Sequence, residues 1–308
     1  MLRVIVLCSA TLILGACGGS DALDSCIDIT PAVTKNTAFF PAQSASLLQN
    51  TNNEGRLGLA CHNCYDYFSR APDDTLALIN MAILDGVNLI ELDVTFSAPE
   101  LAGTWINHGT NNIYVSFSQV IASSILKDAE QMLFIELKDE SYTAQSIRLL
   151  LREMMEHRRR DGTFDYINDN RLLILRSFSG FEYLSIVRDV LTEVEFEQLR
   201  PYVRISKLMR KSSLASSFKS VEHTHQCGFH MVEFDAGNDI DSLFELARFA
   251  KSFGLGVNVF TLFPWNAQAY IEQLVPNIDV ATIESYRGDT SLPTNNATFH
   301  DIRVNFDD

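Results

Sequence analysis

The chain has 308 residues and carries 39 acidic against 24 basic side chains, a formal net charge of -15. Such a balance lacks the basic footprint needed to bind a phosphate backbone, which excludes nucleic acid as a partner, and it offers no polybasic help toward anionic lipid headgroups. The length suits one α/β barrel or two smaller domains.

Arg3 is the only early charge; an apolar run from Val4 to Ala16 follows and closes in "LGAC". That is the charged start, apolar centre and small-residue exit of a secretory signal, too short to span a bilayer, so residues 1–16 are expected to be removed. "LGAC" resembles the lipobox of bacterial lipoproteins, in which the new N-terminal cysteine, here Cys17, is diacylated. The resemblance implies a membrane partner through lipidated Cys17. It also implies a place in a bacterial cell envelope, on the outer membrane, since Gly18 is not the aspartate that retains such proteins on the inner one. Residues 17–55 are polar, with "NTNNEG" near their end, and form the expected lipidated N-terminus and tether. Of six cysteines, Cys26, Cys61, Cys64 and Cys227 then remain in a compartment that permits disulfides, with their pairing open.

Beyond Gly55, short apolar runs alternate with helical periodicity, the pattern of a parallel sheet with crossover helices. The candidate strands are "RLGLAC", "NLIELDV", "MLFIELK", "RLLIL", "YVRIS", "FHMVEF", "GVNVFT" and "DVATI". Between them lie helical stretches such as "DTLALINMAILDG", stopped by Gly86, and "DSLFELARFAKSFG", stopped by Gly254. Eight strands with intervening helices predict an α/β fold, a single irregular TIM (β/α)8 barrel over residues 56–290, followed by a tail over 291–308. An open doubly wound sheet is the other topology. In the barrel, the active site sits at the carboxyl ends of the strands.

Several of these strands carry charges on one face. In "NLIELDV", Ile90, Leu92 and Val94 share a face opposite Leu89, Glu91 and Asp93. In "MLFIELK", Phe134, Glu136 and Lys138 oppose Leu133, Ile135 and Leu137. A half-exposed antiparallel strand alternates in the same way. In a barrel neither face meets bulk water, so these charges would point into the mouth, where buried carboxylates need a cation. Three carboxylates suit Ca²⁺ or Mg²⁺ better than softer metals; a salt-bridge network through Lys138 is the alternative. His62 falls on the face of Gly58 and Ala60 at the end of its strand, and His108 ends "TWINH". Histidines and carboxylates together can supply an acid, a base and a metal-held phosphate.

The elements "CHNCYDYF", "LDGVNLIELDVTF", "WINHGT", "VSFSQVIASSIL" and "MLFIELKDE" resemble, in this order, the X-box half of the calcium-dependent phosphoinositide-specific phospholipases C. The wider PLC-like phosphodiesterase superfamily includes glycerophosphodiester phosphodiesterases and sphingomyelinase D-like enzymes, and "ELK" at Glu136–Lys138 is more similar to those. The motifs cover about Leu57 to Glu140. Later, Phe260 stands where glycerophosphodiesterases and sphingomyelinase D-like enzymes tend to carry a tryptophan, and no Y-box is visible.

The resemblance implies His62 and His108 as the catalytic pair. It implies Asn63, Glu91, Asp93 and Glu136 as ligands of Ca²⁺, or of Mg²⁺, with Lys138 against the substrate. The implied substrate is a phospholipid or a glycerophosphodiester, cleaved through a cyclic phosphate or by water directly. The C-x-x-C around His62 is then a local disulfide or two packed thiols. A catalytically silent barrel serving as an envelope surface or binding lipoprotein is the other functional reading. "HTHQCGFH", with His223, His225, Cys227 and His230, lacks the paired spacing of zinc sites and reads as surface histidines before a strand. "HRRR" at 157–160 closes a helix with favourable charge.

Overall fold

The computed structural model of the chain describes residues 26, 48–49, 56–62, 64, 72–97, 102–107, 114–138, 142–157, 171–275 and 277–284. The expected signal peptide, Cys17, most of the tether, Asn63, His108, Arg158–Arg160 and the tail over 291–308 lie outside the described residues.

All eight expected strands are present: β1 (Arg56–His62), β2 (Leu89–Ser97), β3 (Met132–Leu137), β4 (Leu173–Ser177), β5 (Val203–Met209), β6 (Met231–Asp235), β7 (Gly256–Leu262) and β8 (Val280–Glu284). Each pairs in parallel with the next, and β8 returns to β1 with Glu284 beside His62. The sheet is therefore closed, a TIM barrel and not an open sheet. Its irregularity lies after β2, where Ala102–Ile106 folds back antiparallel on β2 and pairs with Val115–Ser116.

Helices cover the outside: α1 (Pro72–Leu84), α2 (Phe117–Ile121), α3 (Ser124–Lys127), α4 (Ala144–Glu156), α5 (Phe181–Leu191), α6 (Leu214–Gln226), α7 (Ile240–Ser252) and α8 (Pro264–Leu274). In α4 the buried Ile147, Leu150, Leu151 and Met154 recur at helical spacing and turn one stripe onto the strands. The Thr143–Ser146 capping box satisfies its first turn. None of the described helices is long and apolar enough to cross a membrane.

Strand alternation produces two cores. Outward residues such as Leu57, Ile90, Leu92, Leu133, Ile135, Leu173 and Val257 pack under the helices. Inward, Ala60, Leu89, Met132, Phe134, Ile174, Met231 and Val280 fill the amino-terminal half of the barrel. Two positions further along the same strands the inward side chains turn polar: His62, Glu91, Glu136, Arg176, Glu233 and Thr282. An apolar floor thus carries a polar layer, which opens at the carboxyl ends.

The segment before the barrel is fastened to it at two described points. Leu48–Gln49 pairs antiparallel with β1. Cys26 forms a disulfide with Cys227, the residue closing α6.

Gly86 and Gly254 end α1 and α7 at φ 91° and 75°. At Gly254 the amide donates to the Lys251 carbonyl (2.9 Å) and that of Leu255 to Ala250 (3.2 Å), a Schellman closure that turns the chain into β7. A Cβ on Gly254 would meet nothing within 4 Å, so Gly254→Ala isolates the backbone term. It should lower unfolding free energy by about 1–2 kcal/mol in urea titration; an unchanged midpoint would contradict the left-handed closure.

Candidate active site

Glu91 and Asp93 lie two apart on β2 and share its inward face; Glu136 lies beside Asp93 in the register of β3. All three are buried, and one oxygen from each lies within 4.8 Å of the other two. Their charge is met by two cations from neighbouring strand ends. Lys138 Nζ is 2.7 Å from Glu136 Oε1 and 3.3 Å from Asp93 Oδ1. Arg176, at the end of β4, contacts Glu91 through Nη2, which is also 3.5 Å from Glu136 Oε2. Its Nη1 donates to Glu233 Oε2 at 2.8 Å. The guanidinium lies 4.8 Å from the centroid of the Phe134 ring. Asn258 on β7 donates to the same Glu233 oxygen (2.6 Å) and to Thr282 on β8 (2.8 Å), so the polar layer runs across the barrel.

His62 and Glu284 are the last residues of two adjacent parallel strands, in register. Their side chains consequently meet, with Nδ1 2.6 Å from Glu284 Oε2. A carboxylate only accepts, so Nδ1 carries the proton and Nε2 is the basic nitrogen of the neutral ring. Cys61, on the opposite face, forms a disulfide with Cys64, which brackets His62 within the closed loop.

The electrostatics follow from burial among like charges. Burial opposes a charged His62, but the negative charge of Glu91, the bond to Glu284 and the charge of Asp93 outweigh it and raise its pKa to about 9. Burial pushes Asp93 up to about 7; Lys138 pulls against the rise, while Glu136 and Glu91 add to it. Glu136 is also opposed by burial, yet Lys138 and Arg176 hold it below the ordinary carboxylate range. Glu233 rises because burial outweighs Arg176.

The donor set fits a divalent cation. With every group ionised, and counting the described residues, the five carboxylates Glu91, Asp93, Glu136, Glu233 and Glu284 face the three cations Arg176, Lys138 and His62. Two negative charges are left over, the complement of one such ion. The oxygen-only triad suits a hard metal.

Of the residues singled out in the sequence, the structure brings together His62, Glu91, Asp93, Glu136 and Lys138. Asn63 and His108 lie outside the described residues; the amide of Asn107, the neighbour of His108, donates to the Asp93 carbonyl at 3.0 Å. Sequence reasoning missed Arg176, Glu233, Asn258 and Glu284. The surface-histidine reading of "HTHQCGFH" is corrected for His223, which is buried and stacks on Phe181 at 4.1 Å between ring centroids. Both sulfurs beside it, those of Cys26 and Cys227, are spent in the disulfide, which removes them as zinc ligands.

The fold and its mouth define an α/β barrel with a buried carboxylate triad beside a histidine–carboxylate pair. No protein-family model matches the sequence, and no curated protein matches it. Solved structures do match in fold. A glycerophosphodiester phosphodiesterase from Parabacteroides distasonis shares 14% identity at a TM-score of 0.52, over 74% of this chain and 93% of that one. A candidate glycerophosphodiester phosphodiesterase from Galdieria sulphuraria shares 15% identity at a TM-score of 0.50, over 73% and 93% respectively.

The raised His62 and Asp93 make stability depend on pH. Each holds its proton more tightly folded than unfolded. The His62 contribution is intact below its ordinary 6.5 and lost as pH rises through about 9. The Asp93 penalty is absent below its ordinary 3.8 and complete above about 7. Chelated protein should therefore melt at progressively lower temperature as pH rises from about 5 to about 9, less steeply with a divalent cation present. His62→Ala should flatten the upper part of that fall; a variant keeping the wild-type slope would show that His62 is not raised.

Proposed function

We propose that the protein is a divalent-metal-dependent phosphodiesterase of the glycerophosphodiesterase and phospholipase C-like type. Its preferred cation is Ca²⁺, its substrate a water-soluble glycerophosphodiester, and it is anchored in a bacterial cell envelope through lipidated Cys17. The observation that carries the reading is the buried Glu91–Asp93–Glu136 triad gathered beside His62 and Glu284 at the barrel mouth.

Bound to Glu91, Asp93 and Glu136, with Asn63 completing the set by resemblance, the cation supplies positive charge against which a phosphodiester can dock. The residues of the chain account for the rest. Lys138 adds a second cation for the phosphate oxygens. His62, held through Nδ1 by Glu284, takes the proton of the attacking hydroxyl at Nε2. That role needs a neutral ring, and neutralising Glu91 and Asp93 removes much of the charge that keeps His62 protonated. His108, by resemblance, donates to the leaving alkoxide.

The preference for a soluble diester is supported by where the chain enters the barrel. Cys227 lies between α6 and β6, at the end of the barrel opposite the mouth. Cys26 is fixed there, nine positions after Cys17. Nine residues span at most about 30 Å even when fully extended, which favours holding the closed end toward the anchoring bilayer and the mouth toward water.

The test is a panel of glycerophosphodiesters, phosphatidylinositol and lysophospholipids, assayed with Ca²⁺, Mg²⁺ or chelator. Glycerophosphodiester cleavage that chelation abolishes, and that falls roughly 10²–10⁴-fold in His62→Ala, is expected. Turnover confined to bilayer lipid would overturn the soluble substrate. No turnover of any diester by cation-loaded protein would favour a binding lipoprotein.

A further inference from the structure

Arg176 poses a problem for any cation at this mouth. Its guanidinium, 2% exposed, already contacts Glu91 and sits 3.5 Å from Glu136, two of the three triad carboxylates. A permanent charge that cannot be titrated away thus competes for the same oxygens.

Glu233 has the opposite effect. Lying on β6, on the other side of Arg176 from the triad, it takes Nη1 at 2.8 Å, and Asn258 fixes the accepting oxygen at 2.6 Å. Its side chain is fully buried. A buried carboxylate bound to a buried guanidinium interacts strongly, because little water screens the pair.

We propose that Glu233 is a positioning residue for the metal: it competes with Glu91 and Glu136 for Arg176, weakening the hold of the guanidinium on the triad, and thereby sets the cation affinity of a triad to which it does not belong. This inference rests on the reading of the triad as a cation site. It does not depend on which diester is cleaved. Two effects act in the same direction. Removing the Glu233 charge cuts the unbalanced negative charge from two to one, which weakens attraction for a divalent ion. It also leaves Arg176 with only the triad to pair with, which strengthens the competitor. Removing Arg176 together with Glu233 takes away both the competitor and its counter-ion, and restores the original charge balance around Glu91, Asp93, Glu136 and Lys138.

The experiment is calorimetric titration of Ca²⁺ and of Mn²⁺ into chelator-stripped protein, wild type, Glu233→Gln and the double variant Glu233→Gln/Arg176→Met, with circular dichroism and thermal melting run on each. Glutamine keeps the size of Glu233 and an oxygen for Asn258, and methionine replaces the buried cation by an apolar chain. Glu233→Gln should bind at least tenfold more weakly while folding normally, and the double variant should recover most of that loss. A purely packing role for Glu233 predicts no recovery, since the second substitution only enlarges the disturbance.

Wild-type affinity in Glu233→Gln, or a folded double variant as weak as the single one, would overturn the proposal. Should Glu233→Gln fail to fold, Asn258→Ala supplies the second route: it loosens the same carboxylate and should weaken binding less than tenfold but measurably, and unchanged affinity there would overturn the proposal as well. Absence of any binding by the wild type would instead remove the cation site itself, a different failure.

Discussion

Four carboxylates gathered inside a closed barrel can stay ionised only against positive charge, and the rest of the site follows from that constraint. Taking each ion out of water costs several kcal/mol even after relaxation. Glu91, Glu136 and Glu233 are therefore found around a single buried guanidinium, and Asp93 and Glu136 around one ammonium. Among the described residues, with the His62–Glu284 pair counted as neutral, the pairing is incomplete by two charges. Such a deficit is a poor arrangement for a structural salt-bridge network, which would be matched in sign, and a good one for admitting a doubly charged guest.

The backbone supplies the geometry at little cost in local distortion. Parallel pairing puts residues on adjacent strands side by side, so the Asp93–Glu136 neighbours and the His62–Glu284 pair are consequences of register, while Asn258, beside Val280, reaches two residues along the same inward face to Thr282. Below them the apolar floor of Leu89, Phe134, Ile174 and Met231 excludes water from beneath the charges. That exclusion strengthens each charge interaction; it raises Asp93 directly, and it raises His62 only through the carboxylates around it, which outweigh its own burial. The buried carboxylates that make His62 strongly basic, against the effect of its own burial, also make its proton responsive to positive charge placed beside them.

Much of this was legible in the sequence because strand periodicity is a two-residue rule that local pattern preserves. The inward placement of His62, Glu91, Asp93, Glu136 and Lys138 follows from it, and the stops at Gly86 and Gly254 follow from the left-handed closure that glycine allows at a helix end. Two of the four missed residues lay just beyond the expected strand ends. "RLLIL" stops at Leu175, one residue before Arg176, and "DVATI" stops at Ile283, one residue before Glu284; strand boundaries are the least determined part of a local pattern. Glu233 did fall inside "FHMVEF", on the inward face with Met231, but its partner Arg176 is 57 positions away. Contacts of that range come from barrel closure and not from any local signal. The Cys26–Cys227 bond, separated by 201 positions, was hidden for the same reason. His223 could not be told from a surface histidine without knowing that Phe181 lies against it.

The central claim is that the mouth of the barrel holds one divalent cation on Glu91, Asp93 and Glu136. Anomalous diffraction from crystals grown with Mn²⁺ tests it most directly. The account predicts a single strong peak within about 2.0–2.6 Å of an oxygen from each of the three carboxylates, with Lys138 and Arg176 displaced from those oxygens and Arg176 still bound to Glu233. A mouth without a peak at saturating Mn²⁺, with both cations still seated on the triad, would contradict it.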